Sequence, residues 1–364
     1  MDSFRVKYEI SNHGQPSLLP EIAFAPDGQA FAVSVQEQNE VRLYETATGR
    51  LLRCWKNPEA GFGEPHGVLV TERHLLVSNR NYFKAPSEIR VYSLNSKDDY
   101  ALHRLVTPFS ELVEAHSMAL SNGRLLVTYC EGEGRTGGVV CYAYDDERGR
   151  IGEPLSMVDA CFHRLGDPKG VTFFDQGRRA LVSFNSLKPN PPLQRLVVRS
   201  LQRWYKKMAD STGNVWRSAW NVLREGQGKQ RKPPPILHNG LAVFAIDAAG
   251  KLSPEPERVL LRDEFCRLEN VHCLDATCAV ADTINGQVLL YDIVADPNLE
   301  RPQEIVREAL SLPHGVKLSP DGNTLVVSNY GLRAWRQEII WFGWSKPRTD
   351  TVAIYRREAR PQPA

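Results

Sequence analysis

Pro65-His66-Gly67-Val68, followed by Leu75-Leu76-Val77-Ser78-Asn79, is the stretch that decides the fold. It returns near the end of the chain as Pro313-His314-Gly315-Val316 with Leu325-Val326-Val327-Ser328-Asn329. A phrase that repeats along a chain predicts an architecture of repeated units, and it outranks local signals. Weaker copies make six in all, and they begin at Pro20-Glu21-Ile22, Ala115-His116-Ser117, Pro168-Lys169-Gly170 and Glu269-Asn270-Val271.

Each copy continues with a third apolar run, such as Glu88-Ile89-Arg90-Val91-Tyr92, and most add a fourth, more polar one. Val, Ile and Tyr favour pleated, half-buried strands, and Pro-Asp-Gly at 26–28 and 320–322 supplies turns. Four short antiparallel strands repeated around an axis form a β-propeller. The sequence therefore predicts an all-β, six-bladed propeller of four-stranded blades over residues 1–364. We expect the strand from Ser3 to Ile10 to complete the last blade and close the ring.

Composition narrows the class of protein. The 364 residues carry a net charge of +2, and no apolar run approaches the roughly 18 residues that a membrane span needs. The first residues lack the apolar segment of a signal peptide, so the sequence predicts a cytoplasmic protein. The seven cysteines have no CxxC spacing, and we interpret them as small buried hydrophobic residues.

The long interval after residue 169 predicts an insertion in blade 4, over residues 187–237. Leu193, Leu196, Val197, Leu201 and Met208 follow helical spacing, with Lys and Arg on the other face. Residues 193–232 carry a charge of +8. An amphipathic helix that binds a peripheral anionic membrane or an acidic protein partner is one interpretation. The other is a helical hairpin packed on the propeller with its basic face in solvent.

A second insertion is predicted in blade 6, over residues 331–350. It contains Trp335, Trp341 and Trp344 together with several basic residues. Both insertions follow the second strand of a blade, which places them at the end of the channel where the innermost strands begin. A recessed centre beneath such a rim is where we expect a ligand pocket, with Trp335 among its substrate-binding residues.

The repeat predicts one polar side chain per blade at the start of the innermost strand, facing the channel. The alignment gives Glu21, His66, His116, Lys169, His314 and, from blade 5, Asn270, or Glu269 if the register shifts by one. We predict Glu21, His66, His116, His314 and Lys169 as catalytic. The ends of the second strands lie beside them and supply the other predicted substrate-binding residues, which with Asn270 are Asn79, Arg80, Glu131, Asn185, Asp282 and Asn329.

Three imidazoles and a carboxylate on one arc form a reasonable ligand set for a divalent metal. His66, His116, His314 and Glu21 are therefore the predicted metal ligands, with Zn, Fe and Ca left open. The alternative is structural, because an imidazole in this position can also bond to the backbone of a neighbouring blade.

The chain resembles the six-bladed propellers of the gluconolactonase, paraoxonase and strictosidine synthase-like group. The resemblance implies a divalent metal in the channel, held by a Glu of the first blade and by Asn or Asp residues of later blades. Glu21 stands where the Glu of that group would be, and Asn270 lies near its fifth-blade acid. The sequence departs from the pattern at blades 3 and 4, where His116 and Lys169 replace amides.

Two functional hypotheses follow. The first is an enzyme that acts in the channel on a small or amphiphilic molecule, by a lactonase-like hydrolysis or a lyase or isomerase step. The second is a non-catalytic propeller that binds a protein, a glycan or a membrane-associated partner. The sequence has no P-loop, no GxGxxG opening a helix and no GxSxG. Nucleic acid is not an expected partner, because the aromatic residues of the basic stretch follow helical spacing.

Overall fold

The described residues form twenty-four strands in six antiparallel sheets of four strands each in the computed structural model of the chain. The predicted all-β, six-bladed propeller is confirmed. The structure describes residues 3–11, 18–56, 60–81, 85–96, 100–108, 114–130, 137–185, 239–262, 265–310, 312–329 and 351–358.

Five blades consist of four consecutive strands, ordered from the channel outward. Blade 1 comprises β2 (Ile22–Phe24), β3 (Ala30–Val35), β4 (Glu40–Glu45) and β5 (Leu51–Lys56). Blade 2 comprises β6 (Pro65–Val70), β7 (His74–Asn79), β8 (Glu88–Ser93) and β9 (Ala101–Val106). Blade 3 comprises β10 (Glu114–Ser121), β11 (Arg124–Cys130), β12 (Gly138–Asp145) and β13 (Arg150–Val158). Blade 4 comprises β14 (Asp167–Phe174), β15 (Arg179–Asn185), β16 (Gly240–Ala245) and β17 (Arg258–Leu261). Blade 5 comprises β18 (Leu268–Leu274), β19 (Thr277–Asp282), β20 (Gln287–Asp292) and β21 (Glu304–Val306).

Blade 6 closes the ring with strands from both ends of the sequence. It comprises β22 (Pro313–Leu318), β23 (Thr324–Asn329), β24 (Thr351–Glu358) and, outermost, β1 (Ser3–Ser11). β1 pairs with β24 from Ser3↔Glu358 to Ser11↔Thr351, with one irregularity between Val6 and Tyr8. This pairing confirms the predicted closure, and it gives the last blade the fourth strand that its own repeat lacks.

The burial of each strand explains its composition. The second strands β7 and β23, in the middle of their blades, are buried at every residue and read as continuous apolar runs ending in Ser-Asn. The outer strand β9 alternates between half-buried and exposed residues, as expected for a strand with one solvated face. The hairpin between β10 and β11 turns at Asn122-Gly123, both with positive φ, which favours these two residues.

Six apolar clusters form the core, and each joins two neighbouring blades. One example packs Phe162, Val171 and Phe244 of the blade 4 region against Leu126 and Val139 of blade 3. The cluster between blades 6 and 1 completes the circle. The stability of the ring therefore rests on contacts between the faces of adjacent sheets, which fix the innermost strands around the channel.

The two predicted insertions follow second strands, as expected from the repeat. The first lies between β15 and β16, and the second lies between β23 and β24. The helix predicted within 187–237 and the Trp-rich segment 331–350 fall outside the described residues, so both stay predictions. The described chain has one short helix, α1 (Phe162–Leu165), and a 3-10 turn at Asp175–Gly177, neither of which was predicted.

Candidate functional site in the central channel

Hydroxyl groups on the second strands fix the register of the innermost strands. In five blades a Ser or Thr hydroxyl oxygen accepts a hydrogen bond from the backbone N–H of the residue opposite it, with N–O distances between 2.7 and 3.1 Å. In blade 5 an alanine, Ala281, stands opposite Asn270. The five bonds join Ser34 to Glu21, Ser78 to Gly67, Thr128 to Ser117, Ser183 to Gly170 and Ser328 to Gly315.

This register divides the channel-facing residues into three rings with one residue from each blade. The upper ring contains Pro20, His66, His116, Lys169, Glu269 and His314. The middle ring contains Glu21, Gly67, Ser117, Gly170, Asn270 and Gly315. The lower ring contains Ala23, Leu69, Ala119, Thr172, His272 and Lys317.

The rings correct the sequence alignment at two blades. Glu21 does not stand level with the histidines, because the residue equivalent to His66 in blade 1 is Pro20. In blade 5 the upper-ring residue is Glu269, and Asn270 belongs to the middle ring. The sequence left blade 5 open between these two residues, and the structure selects Glu269.

The glycine after the histidine has a packing role. A Cβ on Gly67 would lie 2.7 Å from the carbonyl oxygen of His116, and one on Gly315 would lie 3.0 Å from that of Pro20. The innermost strand of the next blade therefore approaches too closely for a side chain at these positions. The His-Gly pair combines a channel-facing imidazole with a close contact between blades.

His66, His116 and His314 lie together in the upper ring. All three are buried, and their ring centroids are 4.1 Å apart for His66 and His116, 5.4 Å for His66 and His314, and 5.7 Å for His116 and His314. One ring nitrogen from each residue lies within 4.8 Å of the others. The repeat thus brings together three side chains that are far apart in sequence.

Hydrogen bonds to backbone carbonyls orient two of the imidazoles. His66 Nδ1 lies 2.9 Å from the carbonyl oxygen of His116, and His314 Nδ1 lies 2.6 Å from that of Pro20. A carbonyl oxygen only accepts, so Nδ1–H is the donor and Nε2 of each neutral ring carries a lone pair. Within the described part of the chain, buried His66 Nε2 and His116 Nδ1 have no hydrogen-bond partner. The backbone bonds anticipated by the structural alternative therefore exist, but they leave nitrogen lone pairs in the channel.

Glu269 is the carboxylate that contacts the imidazoles. Its Oε2 lies 3.6 Å from His116 Nε2 and 3.5 Å from His314 Nε2, while Oε1 pairs with Arg267. Burial alone would raise the pKa of Glu269, but Arg267, the contact with His116 and the charge of Lys169 hold it well below its usual range. An ionised carboxylate that faces the lone pair of neutral His314 is repulsive unless a proton or a metal cation lies between them.

Burial keeps the three imidazoles neutral. It is the largest cause that lowers the pKa of His116 to about 3 and that of His314 to about 4, although Glu269 opposes both shifts. The pKa of His66 is also well below its usual value, through burial and the neighbouring His116. A neutral imidazole is the form that can bind a metal, and burial favours this form in all three residues.

Two cations and their acids flank the cluster. Burial acts to lower the pKa of Lys169, but Cys130, Glu269 and Asp167 raise it above its usual value. Lys169 is therefore an ammonium group beside the imidazoles. Arg80 pairs with Glu114, and its charge contributes to the low pKa of His66.

Glu21 and Asn270 form a second polar group in the middle ring. Asn270 Nδ2 donates to Glu21 Oε1 at 2.6 Å, and the ammonium of Lys317, from the lower ring, lies 3.4 Å from the same oxygen. Burial raises the pKa of Glu21, although Lys317, Ser117 and Asn270 oppose the shift. Both residues were aligned with the metal ligands of the lactonase-like group, and in the structure they contact each other one ring below the histidines.

The predicted substrate-binding residues at the ends of the second strands bond within the protein. Asn185 accepts from the backbone N–H of Leu268, and Asn329 donates to Ala309 and Thr351. Asn79 donates to Glu88, and Asp282 accepts from Cys266, Asn285 and Gln287. Glu131 and Trp335 lie outside the described residues. The role of these six residues, and of Arg80 and Asn270, in binding a substrate stays a prediction, and the four described here have structural partners.

Sequence reasoning missed the contributions of Arg267 and Lys317. A charged residue two positions before an upper-ring residue recurs as Glu114, Asp167 and Arg267, which was a usable signal. Lys317 lies between Val316 and Leu318 in a fully buried strand, where a lysine is rare without a partner.

Solved structures similar to this chain share its fold. A luciferin-regenerating enzyme aligns with a TM-score of 0.59 at 8% identity, over 97% of this chain and 95% of that one. A putative oxidoreductase (glucose dehydrogenase) from Thermus thermophilus aligns with a TM-score of 0.55 at 13% identity, over 97% of this chain and all of that one. No protein-family profile and no curated protein sequence matches the chain. Among the described residues, no helix has the length and apolarity to cross a membrane. At this identity the likeness establishes a six-bladed propeller, a fold that solved enzymes also use.

Proposed function

We propose that the protein is an enzyme whose site is the upper ring, where His66, His116 and His314 hold a divalent transition metal. The observation that carries this proposal is the convergence of three buried, neutral imidazoles within 4.8 Å, beside a carboxylate held in its ionised form. Nitrogen donors suit Zn or Fe(II), whereas calcium takes oxygen ligands. Among the three metals left open by the sequence, the donor set therefore favours Zn or Fe.

The roles of the residues follow from their positions. The Nδ1–H bonds of His66 and His314 to backbone carbonyls orient the two rings, a common arrangement for metal-ligating histidines. Glu269 would orient the imidazoles or accept a proton from a bound water. Lys169 would bind an anionic or carbonyl group of the substrate. A bound metal would supply polarisation of a carbonyl group or a lowered pKa of water.

The substrate class stays broad. A small or amphiphilic molecule with a carbonyl or anionic group, processed by hydrolysis or by a lyase or isomerase step, matches the available groups. The activities of the similar solved structures are not carried over, because one fold hosts many chemistries.

Metal analysis of the purified protein tests the proposal. We expect close to one equivalent of Zn or Fe per chain, and we expect a His66→Ala, His314→Ala double variant to lose it while remaining folded. His163→Ala removes an exposed histidine and is the matched control. Metal content that is absent from the wild type, or unchanged in the double variant, would overturn the assignment.

A second candidate function rests on the +8 charge of residues 193–232. This segment leaves the ring after β15, at the end of the channel where the upper ring lies. Binding to anionic vesicles at low salt, lost at high salt and lost when residues 190–235 are replaced by a Gly-Ser linker, would support docking to a membrane. If the wild-type protein does not bind anionic vesicles at low salt, this candidate function has no support.

A further inference from the structure

A cavity opens at the end of the channel opposite the histidines. It has a volume of about 700 Å³, within the range of small-molecule sites, which is roughly 300–1,000 Å³. Its walls come from the last residues of the innermost strands and from the turns that follow them. All six residues of the lower ring line it. This is the face on which sequence reasoning placed no pocket.

The wall of this lower cavity is mainly apolar. Leu69, Leu120, Phe24, Phe174 and Leu274 line it, and each of them is only half-buried within the chain. When a ligand covers apolar side chains that are partly exposed inside a concave surface, the free energy of the system falls because apolar surface is removed from water. The cavity is therefore suited to an alkyl or ring system.

Two polar groups lie at the depth of the cavity. Lys317 is the one basic residue besides histidine in the lower ring, and His272 is its neighbour from blade 5. The backbone N–H of Leu318 donates to His272 Nδ1 at 3.1 Å, so the neutral ring carries its proton on Nε2. Both side chains thus offer hydrogen-bond donors. The acids that line the cavity, Asp175 and Asp275, lie in the turns at its mouth and disfavour an anion there.

We propose that the lower cavity binds an amphiphilic carboxylate, with its head group against Lys317 and His272 and its alkyl chain along the apolar wall. The carboxylate accepts from an ammonium and from an imidazole N–H, which are the donors that the site provides. The apolar wall excludes water from these bonds and strengthens them. This site is separate from the upper ring, and it does not depend on the metal proposal.

Glu21 competes for the same ammonium. Its Oε1 lies 3.4 Å from Lys317 Nζ, so an incoming carboxylate has to share the cation with it. Burial favours the protonated form of Glu21, because it raises the pKa of this carboxyl. This competition predicts that changes to Lys317 and to Glu21 alter affinity in opposite directions.

Isothermal titration of the full chain with decanoate, below its micelle concentration, tests the site. We expect saturable binding of about one equivalent of decanoate per chain. Decanol and decylamine should bind with at least about tenfold lower affinity. Lys317→Met should lower the affinity for decanoate by about tenfold or more and leave the affinity for decanol unchanged. Glu21→Gln should strengthen the binding of decanoate several-fold, because it removes the carboxylate that competes for Lys317. Lys251→Met, at an exposed lysine, is the matched control.

Lys317→Met and Glu21→Gln are expected to change the affinity for decanoate in opposite directions. The test therefore stays decisive if one of the two variants folds poorly. Leu69→Glu places a carboxylate in the lower ring and leaves Lys317 in place, and it should lower the affinity for decanoate. Equal affinity for decanoate and decanol, no binding at all, or the same affinity in the wild type and Glu21→Gln would overturn the proposal.

Discussion

The upper and lower rings of the channel lie on the same innermost strands, three residues apart, and have opposite chemistry. In the upper ring, His66 and His314 donate Nδ1–H to a backbone carbonyl and keep a lone pair on Nε2. In the lower ring, His272 accepts a backbone N–H at Nδ1 and therefore presents an N–H at Nε2. The first arrangement suits a cation and the second suits an anion. The backbone group that meets Nδ1 decides what a buried histidine can bind, and residue identity alone does not.

The carboxylates extend this comparison. Glu269 in the upper ring is held in its ionised form by Arg267 and Lys169, while burial raises the pKa of Glu21 in the middle ring. Both are buried carboxyls on innermost strands. Their different neighbours make one suited to compensate a metal and the other suited to take up a proton.

The largest effect is expected from Glu269→Gln. The change removes the buried charge that pairs with half-buried Arg267, and removing one member of a buried ion pair costs about 3–5 kcal/mol. It should also lower metal affinity by roughly 10–100-fold, because partners of the ligands orient them. Denaturant unfolding and metal titration measure the two effects.

Glu255→Gln is the matched control for this prediction. Glu255 pairs with Arg164 at 2.5 Å, but both side chains are exposed, so the expected cost is about 0–1 kcal/mol. If the two variants lost equal stability, Glu269 would have no special electrostatic role.

The next effect concerns pH and a carboxyl outside the rings. Burial raises the pKa of Asp282 to about 6, against hydrogen bonds from Asn285, Gln287 and Cys266. The folded state therefore holds this proton more tightly than the unfolded chain, whose Asp titrates near 3.8. Its stabilising contribution is complete below about pH 4 and is lost as pH rises through 6, a difference of about 3 kcal/mol.

Asp282→Asn should remove this part of the pH dependence of the free energy of unfolding. The measurement is the difference between unfolding free energies at pH 4 and pH 7 in the wild type and in the variant. Identical differences in the two proteins would show that Asp282 is not held by burial, and would return it to the candidates for substrate binding.

The smallest effect is expected at the glycines of the middle ring. Gly67→Ala places a Cβ 2.7 Å from the carbonyl oxygen of His116, and overpacking of this kind costs about 1–3 kcal/mol. Gly152→Ala is the control, because its nearest neighbour would be the Ala143 side chain at 3.4 Å. A Gly67→Ala protein as stable as the control would show that blade spacing does not depend on the His-Gly pair.

The repeat was sufficient to predict the fold. Its period supplied the number of blades, and the incomplete last blade predicted the pairing of β1 with β24. Four of the upper-ring residues also followed, because His66, His116, Lys169 and His314 occupy equivalent positions in their repeats. The sequence placed these imidazoles in one arc without any knowledge of their contacts.

The register of individual blades could not be predicted in the same way. The alignment used the polar residue nearest the strand start, so it selected Glu21, although Pro20 is the equivalent of His66. The decisive signal is the hydroxyl on the second strand, Ser34 in blade 1, which fixes the opposite residue by a hydrogen bond. The lower cavity was missed for another reason, since its walls come from the innermost strands of all six blades and from turns of four of them, and no local pattern marks them.

Anomalous diffraction at the zinc and iron absorption edges, from crystals of the protein as purified, tests directly whether the three histidines hold a metal. We expect a single strong peak in the upper ring, bounded by the imidazoles of His66, His116 and His314. A peak in the middle ring beside Glu21 and Asn270, where the lactonase-like resemblance would place a metal, would contradict it. The proposal would also be contradicted if crystals grown with zinc and iron supplied showed no peak at the zinc edge and none at the iron edge.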